Sequence, residues 1–209
     1  MRKIQFVLWW ILVVSTCIYI GTLLSRPLAD FLYTHNGISS YSASNDGFFE
    51  GALSFLLSVG FFMGLGQWLV INTKIKKVYG WILATTIGFS AGSFISFIFF
   101  AFISSIIKYE YHRFFNLFWI IGTGAGTGII TGICQWISLR RKMAGITKWS
   151  LIMALSFTIG IIILTASSVW TSFAESGLIL SIIVINLING LFVEKLIIQP
   201  DIRQQENAI

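Results

Sequence analysis

The chain has 209 residues, of which 56% are hydrophobic and 11% charged, and its mean hydropathy is +0.84. Soluble domains carry about a quarter of their residues as charges, so a water-soluble globule is excluded and lipid is the implied solvent. The net charge of +6 at pH 7 raises nucleic acid as a partner, but the placement of the charges, described below, argues for membrane lipid and against nucleic acid.

Taken in order, the first uncharged run covers residues 4–24 behind a basic Met1-Arg2-Lys3 start. It is longer than the apolar part of a secretory leader and no small-x-small cleavage site follows it, so it is expected to stay as a membrane span. Residues 25–50 form the one sizeable loop. Within it, Ser25 as cap, Pro27 in the first turn and Leu28, Phe31 and Leu32 on one face predict a short helix at the outer interface, stopped by Asn36-Gly37. Further runs cover 51–71, 81–107, 114–139, 149–170 and 177–198, each near the ~20 residues that cross about 30 Å of hydrocarbon. Only Glu194 and Lys195 bring charge into any of them. The alternating ten-residue pattern of barrel strands is absent. The expected fold is all-α, a single polytopic domain over residues 1–209 with six transmembrane helices.

With the N-terminus inside, Arg2, Lys3, Lys74, Lys76, Lys77, Arg140, Arg141, Lys142, Lys148, Lys195 and Arg203 lie on the inner side, against Arg26, Lys108 and Arg113 outside. That bias predicts a multi-pass plasma-membrane protein with both termini cytoplasmic. Cys17 and Cys134 fall within spans and read as small hydrophobes rather than a redox pair.

A shift of 68 residues lays Gly60-x-x-x-Gly64-x-x-Gln67-Trp68 on Gly128-x-x-x-Gly132-x-x-Gln135-Trp136. The same shift pairs Lys74 with Lys142, Trp81 with Trp149, Leu83 with Leu151, Phe89 with Phe157 and Gly92 with Gly160. Spans two–three and four–five therefore read as two copies of one helical hairpin. Both copies share a membrane orientation, which suggests a pseudo-two-fold axis along the membrane normal.

In each copy the glycines, the glutamine and the lysine share one helix stripe. Gly60, Gly64, Gly124, Gly128 and Gly132, with Gly88, Gly92 and Gly160 on spans three and five, are expected to serve close helix packing. Gln67 and Gln135 must find partners in the inner half of the bilayer; they either brace the hairpins or line a polar cavity. Trp68, Trp81, Trp136 and Trp149 stand where the inner aromatic belt runs and are expected to anchor the helices there. On span six, Asn186, Asn189 and Glu194 are candidate intramembrane polar or ligand residues, with Lys195 beside Glu194 as its boundary partner. His35 and His112 lie on the outer side without metal-ligand spacing. No catalytic motif is present, and Gly122-Thr-Gly-Ala-Gly-Thr-Gly128 lies inside a span rather than between strand and helix, so no enzyme, cofactor or metal is expected.

The repeated Gly-x-x-x-Gly-x-x-Gln-Trp stretch, followed in the second copy by Ile137-Ser-Leu-Arg-Arg-Lys142, resembles a motif of bacterial multipass membrane proteins that have no assigned activity. The first copy departs from it, with Asn72-Thr73 in place of the paired arginines. The resemblance implies a membrane fold and no substrate. Two functional classes stand open. One is a non-enzymatic membrane subunit, regulatory, immunity-related or scaffolding, that packs against itself or a partner subunit. The other is a small-solute transporter or substrate-binding component whose cavity is reached by Gln67, Gln135, Asn186 and Glu194.

Overall fold

A computed structural model of the protein describes residues 3–35, 45–75, 78, 80–106, 112–139, 148–168 and 174–198. Within them lie six helices, α1 Lys3–His35, α2 Asn45–Ile71, α3 Trp81–Ile106, α4 His112–Leu139, α5 Trp149–Ser168 and α6 Ala174–Ile198. Each contains a stretch long and apolar enough to cross a membrane, and the described residues hold no strand. The expected all-α, six-span architecture is therefore the one observed.

Every helix packs against its neighbours in chain order, and α1 also packs against α6. The helices thus close into a ring, α1 through α6 and back to α1. The start of α1, the ends of α2, α4 and α6 and the starts of α3 and α5 lie at one end of it.

Within the spans the helices are mainly apolar on their outer sides and carry most of their polar residues inward, the inverse of a soluble bundle. On α1, Phe6, Trp10, Val14 and Ile18 recur every fourth residue and are buried, while Ile4, Leu8, Leu12 and Leu23 are exposed. On α4 the buried stripe is Thr127, Thr131 and Gln135 at the same spacing. A lipid-facing hydroxyl or amide would lack partners, so these residues fix which side of the helix faces the ring.

The connection between α1 and α2 is shorter than its sequence predicts. Residues 25–35 continue α1 rather than forming a separate interfacial helix, and Pro27 lies inside that helix. Proline removes one backbone donor and crowds the preceding turn. Here packing prevails over that preference, since Ala29 is buried and Leu24, Pro27, Leu28 and Phe31 line a groove with Leu57, Phe61 and Phe62 of α2. Across the same pair of helices the Ser58 hydroxyl donates to the Gly21 carbonyl at 2.7 Å. α2 in turn begins at Asn45, ahead of the predicted residue 51. The remainder of the predicted loop, residues 36–44 with Asn36-Gly37, lies outside the described residues.

Small residues set the spacing around the ring. Gly64 faces Ile82 and Thr85 of α3, and Gly132 faces Ser150 of α5. Gly60 faces Thr86 and Gly128 faces Met153 and Ala154. Gly124 packs on Thr158, Gly88 and Gly92 on Thr131 and Thr127 of α4, and Gly160 on Ile185 of α6. Each of these glycines stands at a helix–helix contact where a side chain would intrude on the neighbour.

Candidate functional site

At the end of the ring where α2 passes into α3, the last polar residue of α2 points inward. Gln67 is fully buried, and its Oε1 accepts from three donors: Trp81 Nε1 at 3.0 Å, Gln135 Nε2 at 2.9 Å and Thr85 Oγ1 at 3.5 Å. Gln135 is equally buried. Its Nε2 also donates to Thr85 Oγ1 at 2.9 Å, while its Oε1 accepts from Trp149 Nε1 at 2.6 Å. Five side chains from four helices thus form one continuous girdle. Each amide lies 14 residues before the tryptophan that donates to it, and the two amides meet at a separation of 68.

Two aromatic contacts extend the girdle. The rings of Trp81 and Trp149 stand 6.5 Å apart, and those of Phe89 and Phe157, two turns further along α3 and α5, stand 5.8 Å apart. Offset aromatic pairs at such distances add about 0.5–1.5 kcal/mol beyond the area they bury. Phe6, Val14, Val70, Ile71, Leu139, Met153 and Val193 fill the rest of this end, so every helix contributes to a dense plug.

The placement of the tryptophans corrects the sequence reading. Trp81 and Trp149 are 1% exposed and face the ring interior, where their indole N–H groups are spent on the glutamines. They are not lipid-interface anchors. An indole N–H buried at this depth needs an acceptor, and the inward amides supply one. Trp68 and Trp136 are half-buried and pack against the outside of the core.

The asparagines of α6 also point inward. Asn186 Nδ2 donates to Ser15 Oγ of α1 at 3.1 Å and to the Ile182 carbonyl at 3.0 Å. Asn189 Oδ1 accepts from Ser156 Oγ of α5 at 2.9 Å. They tie α6 to its two neighbours and take no part in the girdle. Glu194 lies within α6, and its side chain is outside the described residues, so its pairing with Lys195 is not placed. His35 and His112 end α1 and begin α4, also with side chains outside the described set.

Sequence reasoning missed the hydrogen-bonding roles of Thr85, Ser15 and Ser156, each of which completes one of these contacts. Thr85 carried a usable signal, since it stands one helical turn after Trp81 on the same face.

Beyond Phe89 and Phe157 the ring surrounds a partly open cavity of about 260 Å³. All six helices line it, through Ile18, Met63, Phe89, Thr127, Phe157 and Ile182 among others. Neither glutamine and neither asparagine reaches it. Its lining is apolar apart from a few hydroxyls, notably Ser93, Thr123 and Thr127 on the α3–α4 side.

Among the described residues, seven buried side-chain polar atoms have no partner: Trp10 Nε1, Gln67 Nε2, Asn186 Oδ1, Asn189 Nδ2 and the hydroxyls of Ser54, Ser90 and Thr123. This yields a contrast to measure. Trp10→Phe and Trp149→Phe remove similar ring volume, but the second also strips Gln135 Oε1 of its donor. Trp149→Phe is expected to cost about 1–2 kcal/mol more than Trp10→Phe in reversible unfolding in mixed micelles. Equal losses would mean that the Trp149–Gln135 bond contributes nothing.

No protein-family model, no curated protein and no solved structure matches the chain.

Proposed function

We propose that this chain is a non-enzymatic membrane protein that works by binding, as a regulatory or scaffolding subunit, and that its ring conducts neither ions nor polar solutes. The supporting observation is the girdle. A polar pathway needs solvent-reached hydrogen-bonding groups along a hydrated lumen, whereas Gln67 and Gln135 are fully buried and bonded to each other and to two tryptophans, with only Gln67 Nε2 left unspent. The alternative of a solute carrier calls for a cavity reached by those amides, and among the described residues the central cavity is lined by neither of them.

In this reading the N- and C-termini and the girdle face the cytoplasm, on the strength of the basic residues clustered at those connections. A reporter fused after Lys142 is expected on the cytoplasmic side; an external reporter would reverse the orientation.

The repeat is part of the proposal, with a changed axis. In a ring of six helices in chain order, moving α2 to α4 and α3 to α5 advances two places in six, a third of a turn rather than a half. The third unit is then α6 followed by α1. Trp10 rests on Gly190 in that unit, much as Gly64 and Gly132 meet the α3 and α5 residues next to Trp81 and Trp149. Three residues after Gly190 stands Val193, where the other units carry Gln67 and Gln135 three residues after their glycines. That exchange accounts for the Trp10 indole N–H having no acceptor.

The test of the sealed reading is flux. In proteoliposomes the purified chain is expected to leave potassium, proton and glucose leakage at the level of empty vesicles. A saturable flux of any of the three would overturn it. Purification in mild detergent is expected to bring down a stoichiometric protein partner or a second copy of the chain; recovery of isolated monomers would remove the subunit role.

A further inference from the structure

The cavity above the girdle is a sealed-bottom vessel whose chemistry selects its contents. We infer that it is a binding site for a neutral, largely apolar molecule with a single hydrogen-bonding group, of the class of a medium-chain alcohol, entering sideways from the lipid between α4 and α5. This inference rests on the reading that the girdle closes the ring.

Three features specify that ligand. The volume, about 260 Å³, exceeds the ~150 Å³ cavity that accepts benzene in a well-studied engineered case. On α2 the lining runs from Phe55 to Met63, which at the helical rise is about 12 Å of depth. An elongated chain matches that shape. No Asp, Glu, Lys, Arg or His lines the cavity, so an ionised headgroup would be buried without a counter-charge.

The polar group is specified by the hydroxyls. Thr22 and Ser181 donate to carbonyls of their own helices, Ile18 at 3.0 Å and Leu178 at 2.8 Å. Thr127 and Ser93 share one long hydrogen bond of 3.4 Å, and the Thr123 hydroxyl is buried with no partner. One side of an otherwise greasy cavity therefore carries unspent hydroxyl capacity. A ligand hydroxyl can give to and take from it.

The route in is a groove between α4 and α5 lined by Trp119, Ile120, Thr123, Ile161 and Thr165. Thr123 and Ile161 also line the central cavity. These two side chains are thus the shared wall between groove and lumen. The unpartnered hydroxyl stands at the threshold, where an entering headgroup meets it first.

The test is photolabelling of the full chain in lipid nanodiscs with decanol bearing a diazirine on its chain, followed by mass-spectrometric mapping. The expected adducts fall on Met63, Phe89 and Phe157, and excess decanol lowers them at least tenfold while ionised decanoate does not. Thr123→Leu is expected to lower them without altering adducts on the outward Leu83, Phe102 and Leu151. Adducts confined to those outward residues and indifferent to competitor would overturn the site. Competition by decanoate equal to that by decanol would overturn the neutral headgroup. Lumen labelling in a chain that leaks potassium would keep the site and discard the sealed reading; a tight chain without lumen labelling would do the reverse.

Discussion

Gln135→Leu is expected to destabilise the ring by about 2–4 kcal/mol, the largest effect of any single girdle substitution. Gln67 and Gln135 each bond to three girdle residues, but only Gln135 spends both ends of its amide: Gln67 and Thr85 receive its amide protons and its oxygen receives the Trp149 indole, whereas Gln67 Nε2 has no partner. Removing it orphans a fully buried indole N–H, which costs about 1–3 kcal/mol, and loses two interhelical bonds worth about 0.6 kcal/mol each in lipid. Gln67→Leu is different. It orphans the Trp81 indole but also removes the Gln67 Nε2 donor that already lacks a partner, so its cost is expected near 1–2 kcal/mol. Reversible unfolding in mixed micelles of both variants checks the order. The Gln135→Leu, Trp149→Phe pair is also expected to be sub-additive, because each change removes the same bond. A larger loss for Gln67→Leu would mean that the girdle is held from the α2 side.

The inequality of two glutamines that look equivalent has a local cause. The residue 18 positions after Gln67 is Thr85, a hydroxyl; 18 positions after Gln135 stands Met153. Only one of the two amides meets a hydroxyl from the following helix. Gln135 Nε2 takes that hydroxyl as an acceptor, and Gln67 Nε2 finds none.

Sequence made the spans legible because lipid imposes a length and a near-absence of charge, and both can be read residue by residue. It also made the girdle amides legible, since Gln67 and Gln135 are costly within a span unless partnered. What it left open was direction. Trp81 and Trp149 begin their helices at the depth where the aromatic belt lies, so a rule based on depth placed them toward lipid. The inward turn of both indoles depends on acceptors carried by α2 and α4, which a single-helix pattern does not contain. Pro27 misled for a related reason: helix propensity is local, whereas the contacts of the C-terminal end of α1 with α2 are not. The cavity was invisible because six separated segments make it, and the hydroxyl that distinguishes it, Thr123, reads as an ordinary spacer within a glycine-rich run.

Gly128→Ala is expected to destabilise by about 2 kcal/mol net, and Gly60→Ala, its counterpart at the 68-residue offset, to be close to neutral. An added methyl at Gly128 would lie 2.5 Å from the Ala154 Cα and closer still to the Met153 carbonyl oxygen, both backbone atoms of α5. Backbone has no rotamer by which to yield, so α4 and α5 must separate, at the upper end of the about 1–3 kcal/mol typical of overpacking. At Gly60 the same methyl would stand 3.2 Å from the Thr86 Cα and carbonyl oxygen and 3.3 Å from the Phe89 ring, a misfit relieved by a few tenths of an ångström. Alanine also returns roughly 0.8–1 kcal/mol of helix propensity at either position, enough to cancel the milder misfit and not the severe one. The separation forced by Gly128→Ala widens the α4–α5 contact on which the Thr123–Ile161 wall depends, so lumen photolabelling in that variant is expected to rise even as the unfolding midpoint falls. Equal midpoints for the two alanine variants would show that α4 and α5 pack no more tightly than α2 and α3.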